Sequence, residues 1–562
     1  MRRKKGFMIF WVVWLLWIGI TYYISLPAIN LHSMEFWFYL IIVVLLPLAI
    51  ALAIRQSAIN ISKSGIQIEK GLFGKASKIV FGVIALSLVI LGLNAVFSAK
   101  IFHAKRYASI LNIQEKEFTE DIDQSTALSK IALMDTSSAI RLGNRELGSL
   151  AELVSQYNVS EHYAQIDVNG APMKVSALDY DGFFKWLGNR KQGVPGYVTV
   201  DPVGQNANYV KLDSGMKYVP SAFFNERLDR HIRFQYPTKY FGNTHFEVDE
   251  EGKPYYVSCV YDFKIGLFSG TTVKGAIICD PVSGDCSYYD VKDIPVWVDN
   301  VFDGELLTTQ YNWYGELSNG FWNSQIGKKG CKKCTETTNS SGDGYVADYG
   351  YISKDGDIWI YTGVTSVNDD ASNIGFILVN QRTAEAHYFM IPGADESSAM
   401  SAAEGEVQEK RYEASFPSLV NIDNQPTYVM VLKDQSGIVK MYAMVNVEQY
   451  NIVSTANTLD ECFVNYRKRL GIEKVEDLTS SEEKEEKPLK EYEIEIASLQ
   501  YVSIEGDTYV YLLGTNGLIF RQRFADNEQL ISLHVGDSIK VYARENMEGA
   551  YPMEDFSRIE EN

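Results

Sequence analysis

The chain has 562 residues, a formal net charge of −19 at pH 7 and a hydrophobic fraction of 46%. That length exceeds one ordinary hydrophobic core, so several domains are expected. The acidic balance lacks the basic footprint of a nucleic-acid-binding protein and argues against docking on an anionic lipid surface.

Three nearly uninterrupted apolar runs open the chain: Phe7 to Ile24, Phe36 to Ile54 and Ile79 to Phe97. Each approaches the ~20 residues a helix needs to cross a ~30 Å hydrocarbon core. Trp11, Trp14, Trp17, Tyr22, Tyr23, Trp37 and Tyr39 suit interfacial aromatic belts. Membrane spans are expected at about 7–29, 36–54 and 79–98, forming an anchor over residues 1–100. Arg2, Arg3, Lys4 and Lys5 precede the first run, and Arg55, Lys63, Lys70, Lys75 and Lys78 lie between the second and third. The loop from Ser25 to Glu35 has neither Lys nor Arg. The positive-inside rule therefore predicts a plasma-membrane protein with a cytoplasmic N-terminus and everything after about residue 100 extracytoplasmic. The spans carry almost no ionisable residue, which reads as an anchor rather than a transport pathway.

Residues 101–165 read as a mostly helical juxtamembrane region, with apolar residues three and four apart in ALSKIALM and LGSLAELVSQY. From 166 to 474 the pattern becomes alternating and rich in Tyr and Val, punctuated by Gly, Asp, Asn and Pro. Within it EEGKPYYVSCVYD and GAIICDPVSGDCSYYDV are echoed by KDGDIWIYTGVTS and IGFILVNQRTAEAHYFMI. A compressed version is NQPTYVMVLKDQSGIVKMYAMVNVE, and a partial one is PGYVTVDPVGQNANYVKL. Each is strand, tight turn, strand. SAFFNERLDRHIRF and SSAMSAAEGEVQEKRY precede two of them as helices. The expected unit is a helix laid on a small antiparallel sheet, shared with its neighbours because a lone hairpin does not persist in water. A charged linker at 475–490 leads to about five short strands in 491–562, which suit a small closed barrel of OB or SH3 kind, structural or protein-binding.

The order of helix, P-x-Y-V strand, then a strand ending in D-x-x-[ST]-[GA]-[DE] and resuming with Tyr resembles PepSY-type modules. The carrying residues are Asp280-Pro-Val-Ser-Gly-Asp285 and, relaxed, Asn380-Gln-Arg-Thr-Ala-Glu385. The resemblance covers about 220–455. The compressed version offers only Asp434-Gln-Ser-Gly437, and the insertion from Tyr311 to Tyr345 has no counterpart in such a module. PepSY-like modules are associated with exported or membrane-anchored proteins and with restraining or sensing extracytoplasmic peptidases, so the resemblance implies that role.

All six cysteines (Cys259, Cys279, Cys286, Cys331, Cys334 and Cys462) follow the spans, where an exported location permits disulfides. Cys279 faces Cys286 across CDPVSGDC, and Cys259 is expected roughly opposite Cys279, so a staple from Cys279 to either one is predicted. Cys331 and Cys334 form a C-x-x-C flanked by lysines, open to a disulfide, loop thiols, a metal or redox activity. No known zinc spacing matches the four cysteines, no H-E-x-x-H or G-x-S-x-G is present, and no EF-hand loop appears, so neither metal nor cofactor is expected.

These features together predict a membrane-anchored α+β protein with helix-plus-hairpin repeats and a terminal barrel. The expected function is binding or regulation of an envelope protein partner through a sheet edge or aromatic grooves, with Tyr255, Tyr256, Tyr288 and Tyr289 as binding candidates. The alternative is an envelope enzyme or thiol-redox protein using Cys331 and Cys334. The sequence gives no sign of which small molecule, if any, is bound.

Overall fold

Apolar side chains too numerous for one core are expected to segregate, and the computed structural model divides into two units, Met1–Val475 and Glu476–Asn562. It describes residues 2–56, 59–62, 65–68, 75–124, 133–338, 345–347, 349–367, 372–471, 489–504, 507–543 and 550–559. Most of the linker expected at 475–490 lies outside the described residues.

Three helices are long and apolar enough to cross a membrane: Met8–Ser25, Met34–Ala53 and Lys75–Phe97. The first ends at Ser25, four residues before the expected limit, where Leu26 turns into the left-handed region (φ 49°). The second contains a π-helical stretch, Tyr39–Leu45, just before Pro47. A proline cannot donate to the carbonyl four residues back and clashes with it, so a wider turn is the expected response. The carbonyl left over is that of Val43, and Trp17 of the first span donates its indole N–H to it at 3.0 Å. Tyr39 Oη donates to the Ile18 carbonyl at 2.9 Å and lies 3.1 Å from Thr21 Oγ1, so three polar contacts join the first two spans among the described residues.

Four antiparallel sheets, here I to IV, follow in chain order. In sheet I the strands Ala164–Val168, Ala171–Tyr180, Val194–Asp201 and Asn206–Met216 form a meander, with Tyr157–Val159 also paired to the second strand. Sheet II comprises Phe241–Val248, Pro254–Ile265, Ser269–Cys279 and Cys286–Asp290. Sheet III comprises Gly350–Lys354, Asp357–Ser366, Gly375–Asn380 and Ala386–Phe389. Sheet IV comprises Ser418–Ile422, Gln425–Lys433, Val439–Asn446 and Val453–Ala456, with Glu413–Ala414 at the side. Central strands such as Asp357–Ser366 are buried almost throughout, on both faces, although the region reads as alternating in sequence.

The turn from third to fourth strand is built the same way in each sheet. A carboxylate or carboxamide at its first position accepts backbone N–H groups just ahead: Asp201 from Val203, Asp280 from Val282 and Ser283, Asn380 from Arg382 and Thr383, and Asn446 from Gln449. This is the self-capping that favours Asp and Asn in turns. In sheet IV the turn therefore begins at Asn446. Asp434-Gln-Ser-Gly437 instead closes the second-to-third-strand hairpin, so the sequence alignment of the compressed version was one hairpin out of register.

Helices lie against the sheets where expected. Leu228–Gln235 precedes sheet II and Glu396–Glu406 precedes sheet IV. The described part of residues 101–165 holds four short helices after the third span, Lys100–Ala108, Phe118–Asp121, Thr136–Gly148 and Ala151–Val154, but also the strands Ile113–Glu115 and Tyr157–Val159. One of these strands, Ile113–Glu115, adds in parallel to the outer edge of sheet III beside Ala386–Phe389.

The second unit contains a closed barrel of five strands in the order Lys490–Ile504, Asp507–Gly514, Ile519–Arg523, Tyr551–Arg558, Ser538–Ala543. Ile494, Ile496, Val510, Leu512, Phe520, Ile539 and Val541 fill it. Closure removes the free edges that five short strands would otherwise expose.

Candidate functional site

The region with the most unusual chemistry is the junction between the spans and sheet II. A helix ends with carbonyls that lack intrahelical partners and with partial negative charge. At the end of the first span these are met by two arginines of the helix Leu228–Gln235. Arg230 Nε donates to the Tyr23 carbonyl at 3.2 Å, and Arg233 Nε donates to the Leu26 carbonyl at 3.0 Å. Both arginines are buried. Their planar faces are covered as well, Arg230 by the Tyr23 ring at 4.1 Å and Arg233 by the Phe241 ring at 3.9 Å. Burial lowers the Arg233 pKa from its usual value, with Tyr22 and Glu35 acting in the opposite sense.

The loop between the first two spans continues the contact. Ile29 N–H donates to the Pro237 carbonyl at 2.8 Å, and the Leu267 carbonyl accepts from His32 Nδ1 at 2.8 Å. The His32 ring stacks on Phe263 at 5.6 Å. Near the end of the third span, Asn94 Oδ1 accepts from Leu267 N–H at 2.7 Å. Thus the Ser25 end of the first span, the Met34 end of the second and the Phe97 end of the third all face the same folded region.

Next to this junction lies a shallow cleft of about 360 Å³ lined by Arg190, Lys191, Lys217 and Glu226. Glu226 bridges Arg190 (2.5 Å) and the indole N–H of Trp186 (2.9 Å). Apart from Tyr22 and Tyr23, none of these junction residues stood out in the sequence. The signal was present: Arg227, Arg230 and Arg233 recur every three residues along one helix that also buries Leu228 and Ile232.

The structure separates the sequence candidates. Cys279 and Cys286 form a disulfide and are directly opposite in the ladder. Cys259 faces Ala276, three positions from Cys279, and its Sγ points to the Asn300 carbonyl at 3.6 Å, so the expected juxtaposition with Cys279 does not occur. A bulge at Val260/Tyr261 contributes to that register. Cys331 and Cys334 are buried thiols packed on the helix Gly304–Leu317. Their sulfurs lie against the carbonyls of Glu316 (3.5 Å) and Thr308 (3.9 Å) respectively. Those carbonyls are eight residues apart, about 12 Å along a helix, so the two thiols are held apart rather than poised as a couple. Burial also raises the Cys331 pKa, opposite to the activation that flanking lysines suggest.

Among the tyrosines, Tyr256 is buried, and burial raises its pKa far above the usual phenol value. Tyr255 packs on Trp297 at 4.7 Å. Tyr288 and Tyr289 sit half-buried on the last strand of sheet II, with Lys239 Nζ 3.4 Å from the Tyr288 ring centre. Tyr288 Oη donates to Asp290 at 2.8 Å.

A buried polar knot joins the first three sheets. The Glu247 carboxylate accepts from the N–H groups of Asp299 and Asn300, each at 3.0 Å. Asp299 in turn accepts from Asp167 N–H at 2.7 Å and Ile358 N–H at 3.3 Å, and Asn300 Nδ2 donates to the Gln165 carbonyl. Burial raises the pKa of both carboxyls, and for Asp299 the nearby Glu247 adds to it. Among the described residues no group of three or more His, Cys, Asp or Glu could hold a metal ion. His387 is buried, with Nδ1 2.7 Å from Asp121 and Nε2 3.0 Å from Glu385, which leaves neither nitrogen available to activate a nucleophile.

No protein-family model matches the chain. No curated protein matches it either. Several solved structures align with parts of it, among them the following three. An ancestral GH74 enzyme aligns at 10% identity over 65% of this chain and 42% of its own, with a TM-score of 0.15. An exo-β-1,3-galactanase from Phanerochaete chrysosporium aligns at 10% identity over 62% and 75%, with a TM-score of 0.17. A levansucrase from B. megaterium aligns at 9% identity over 79% and 98%, with a TM-score of 0.16. Likeness at this level carries no argument about fold or activity.

Proposed function

We propose that this chain is a membrane-anchored extracytoplasmic scaffold that binds an envelope protein by adding one of the partner's strands to sheet II. The observation that carries this reading is a contrast between two sheet edges. The outer edge of sheet III is already extended by the chain's own Ile113–Glu115. The corresponding strand of sheet II, Cys286–Asp290, is terminal and pairs with a strand on one side only among the described residues, apart from a bond from Tyr236 Oη to the Cys286 carbonyl at 2.9 Å. Strand addition at such an edge combines main-chain hydrogen bonds with side-chain pockets, and Tyr288 and Tyr289 stand beside it. Its partner class follows from the PepSY-like order of helix, strand and capped turn, which makes an extracytoplasmic peptidase the first candidate. In the same reading the four sheets are successive copies of one helix-and-hairpin module, and the terminal barrel is an OB- or SH3-like protein-binding unit.

Orientation rests on Arg2, Arg3, Lys4, Lys5 and the basic residues between the second and third spans, which belong in the cytoplasm. The ends of the spans that face the folded region are the opposite ones. Whole-cell labelling of Asp355→Cys by a membrane-impermeant maleimide tests this; protection until lysis would reverse the assignment. For the partner, a photo-crosslinking amino acid at the exposed Ser287 in native membranes should capture one dominant exterior protein, identified by mass spectrometry. Crosslinks confined to this chain would remove sheet II as the binding edge.

A further inference from the structure

The short helix Phe183–Asn189, sequence FFKWLGN, buries Trp186 but leaves Phe183, Phe184 and Leu187 in the open. Phe184 is 82% exposed, Leu187 50% and Phe183 37%, and Phe224 beside them is 57% exposed. The rings form one continuous cluster, with Phe183 against Phe184 at 5.5 Å and Trp186 against Phe224 at 5.7 Å. Phe224 also holds φ at +54°, a left-handed conformation that bulky residues adopt rarely and that turns up where function demands it.

We infer that this aromatic patch, Phe183, Phe184, Leu187 and Phe224, seats in the lipid headgroup layer on the side where the first span leaves the membrane, with Lys191 and Lys217 meeting lipid phosphates. Continuity with the span identifies the occupant. Asn225, next to Phe224, accepts from Tyr23 Oη at 2.9 Å, and Arg230 Nη1 donates to the Phe224 carbonyl at 2.5 Å while its Nε holds the Tyr23 carbonyl. Tyr23 is two residues, about 3 Å of helix, short of the end of the first span. The headgroup layer is about 5–7 Å thick on each side. Phe224 and its neighbours thus lie at the depth of that layer, where aromatic rings are favoured. Charge completes the match. Glu226 is engaged by Arg190 and Trp186, while Lys191 and Lys217 line the same cleft, are exposed and have no ion-pair partner among the described residues. The chain's net charge of −19 argues against anionic lipid in aggregate, but screening limits that repulsion to about 8–10 Å, and the charges at the patch are positive. Aromatic and basic residues on one face are the composition of an interfacial surface.

The test uses the full-length protein in vesicles of phosphatidylglycerol and phosphatidylethanolamine, with a nitroxide placed in turn at Phe184→Cys, Leu187→Cys and, as control, Asp355→Cys. The native thiols of Cys259, Cys331, Cys334 and Cys462 are buried, and labelled wild type gives their background. Collision with oxygen should exceed collision with a nickel chelate severalfold at positions 184 and 187, and the order should reverse at 355. Water-like accessibility at 184 and 187 would overturn the inference. The double variant Lys191→Glu/Lys217→Glu should lower the oxygen-to-nickel ratio at 184 at least twofold; no change would remove the phosphate contacts from the proposal. Inorganic phosphate added to detergent-solubilised protein should leave the spectrum at 184 unchanged, and a response there would assign the cleft to a free anion instead.

Discussion

Arg233 and Leu26 are 207 residues apart in sequence, yet the guanidinium of one donates to the carbonyl of the other at 3.0 Å. The same guanidinium reaches the Lys239 carbonyl at 2.6 Å, so one buried cation ties the exit of the first span to the segment that follows its own helix. Arg233→Leu leaves two carbonyls without their charged donor, a loss on the order of 2–3 kcal/mol. The effect is local and should appear at Ile29, whose N–H is bonded to Pro237 in the same contact. Hydrogen exchange at that amide should accelerate about 30- to 160-fold, the equivalent of that energy. Arg233→Lys should recover little, because a single ammonium cannot span both acceptors in the guanidinium's fixed fork. Unchanged exchange in both variants would show that the junction is held elsewhere.

The Cys279–Cys286 disulfide closes a loop with a sequence separation of seven. Loop-closure entropy for so short a loop gives a stabilisation of about 2 kcal/mol. Sheet III uses Val379 opposite Ala386 at the matching turn, and its turn is hydrogen-bonded in the same way without sulfur. The double variant Cys279→Val/Cys286→Ala is therefore expected to fold, to retain its partner crosslinks and to lose about 2 kcal/mol in a urea-dependent proteolysis midpoint. Failure to accumulate would mean that the disulfide is needed for folding rather than added to it.

The spans were legible because a membrane helix declares itself in composition alone, and their ends were legible to within a few residues. The hairpins showed through their turns, since Asp280 and Asn380 cap their own backbone and do so with local sequence only. Register was less visible: the hairpin closes at Ile265 opposite Ser269, which leaves Cys259 three positions short of Cys279 even after the bulge at Val260/Tyr261 moves the ladder one residue towards it, and the residue pattern announces neither. The third hairpin was matched to Asp434 rather than Asn446 because both are polar residues followed by a turn. Of the junction only the recurrence of Arg227, Arg230 and Arg233 was there to be read, and not what those arginines bind; the polar knot left no trace in the sequence. Arg230, Arg233, Glu247 and Asp299 are satisfied largely by backbone groups far away in sequence, and a carbonyl or an N–H carries no residue signature.

Within sheet III the capped turn is locked a second time. Arg382 grips Asp357 with two bonds, 2.7 and 2.6 Å, and Asn380 Nδ2 donates to the same carboxylate at 2.7 Å. Sheet II has a looser version, Lys253 to Asp280 at 2.9 Å with the lysine side chain 49% exposed. Geometry and burial should separate their worth. Asp357→Asn, which strands a partly buried guanidinium, is expected to cost about 2 kcal/mol, below the full penalty for a deeply buried pair because Arg382 retains some water contact. Lys253→Ala should cost under about 1 kcal/mol. Equal shifts in the urea midpoint of the two variants would contradict the distinction.

Glu396 makes stability depend on pH in a direction unusual for a carboxylate. It is buried at the start of the helix Glu396–Glu406, and burial pushes its pKa up to about 7 despite bonds from Gly363 N–H at 2.6 Å and Thr335 Oγ1 at 3.1 Å. In the unfolded chain it ionises near the ordinary glutamate value of about 4.3. The folded protein therefore holds a proton that the unfolded chain releases, so the stabilisation is complete below about pH 4 and fades as pH rises towards 7. A shift of that size corresponds to at most about 4 kcal/mol. Glu396→Gln keeps a neutral acceptor for Gly363 N–H and cannot ionise. The variant should match wild type near pH 4, exceed it at pH 8, and lose the part of the wild-type slope that lies between. Urea midpoints for both proteins across pH 4–8 measure this directly; parallel curves would mean that Glu396 ionises in the folded state with no more difficulty than in water.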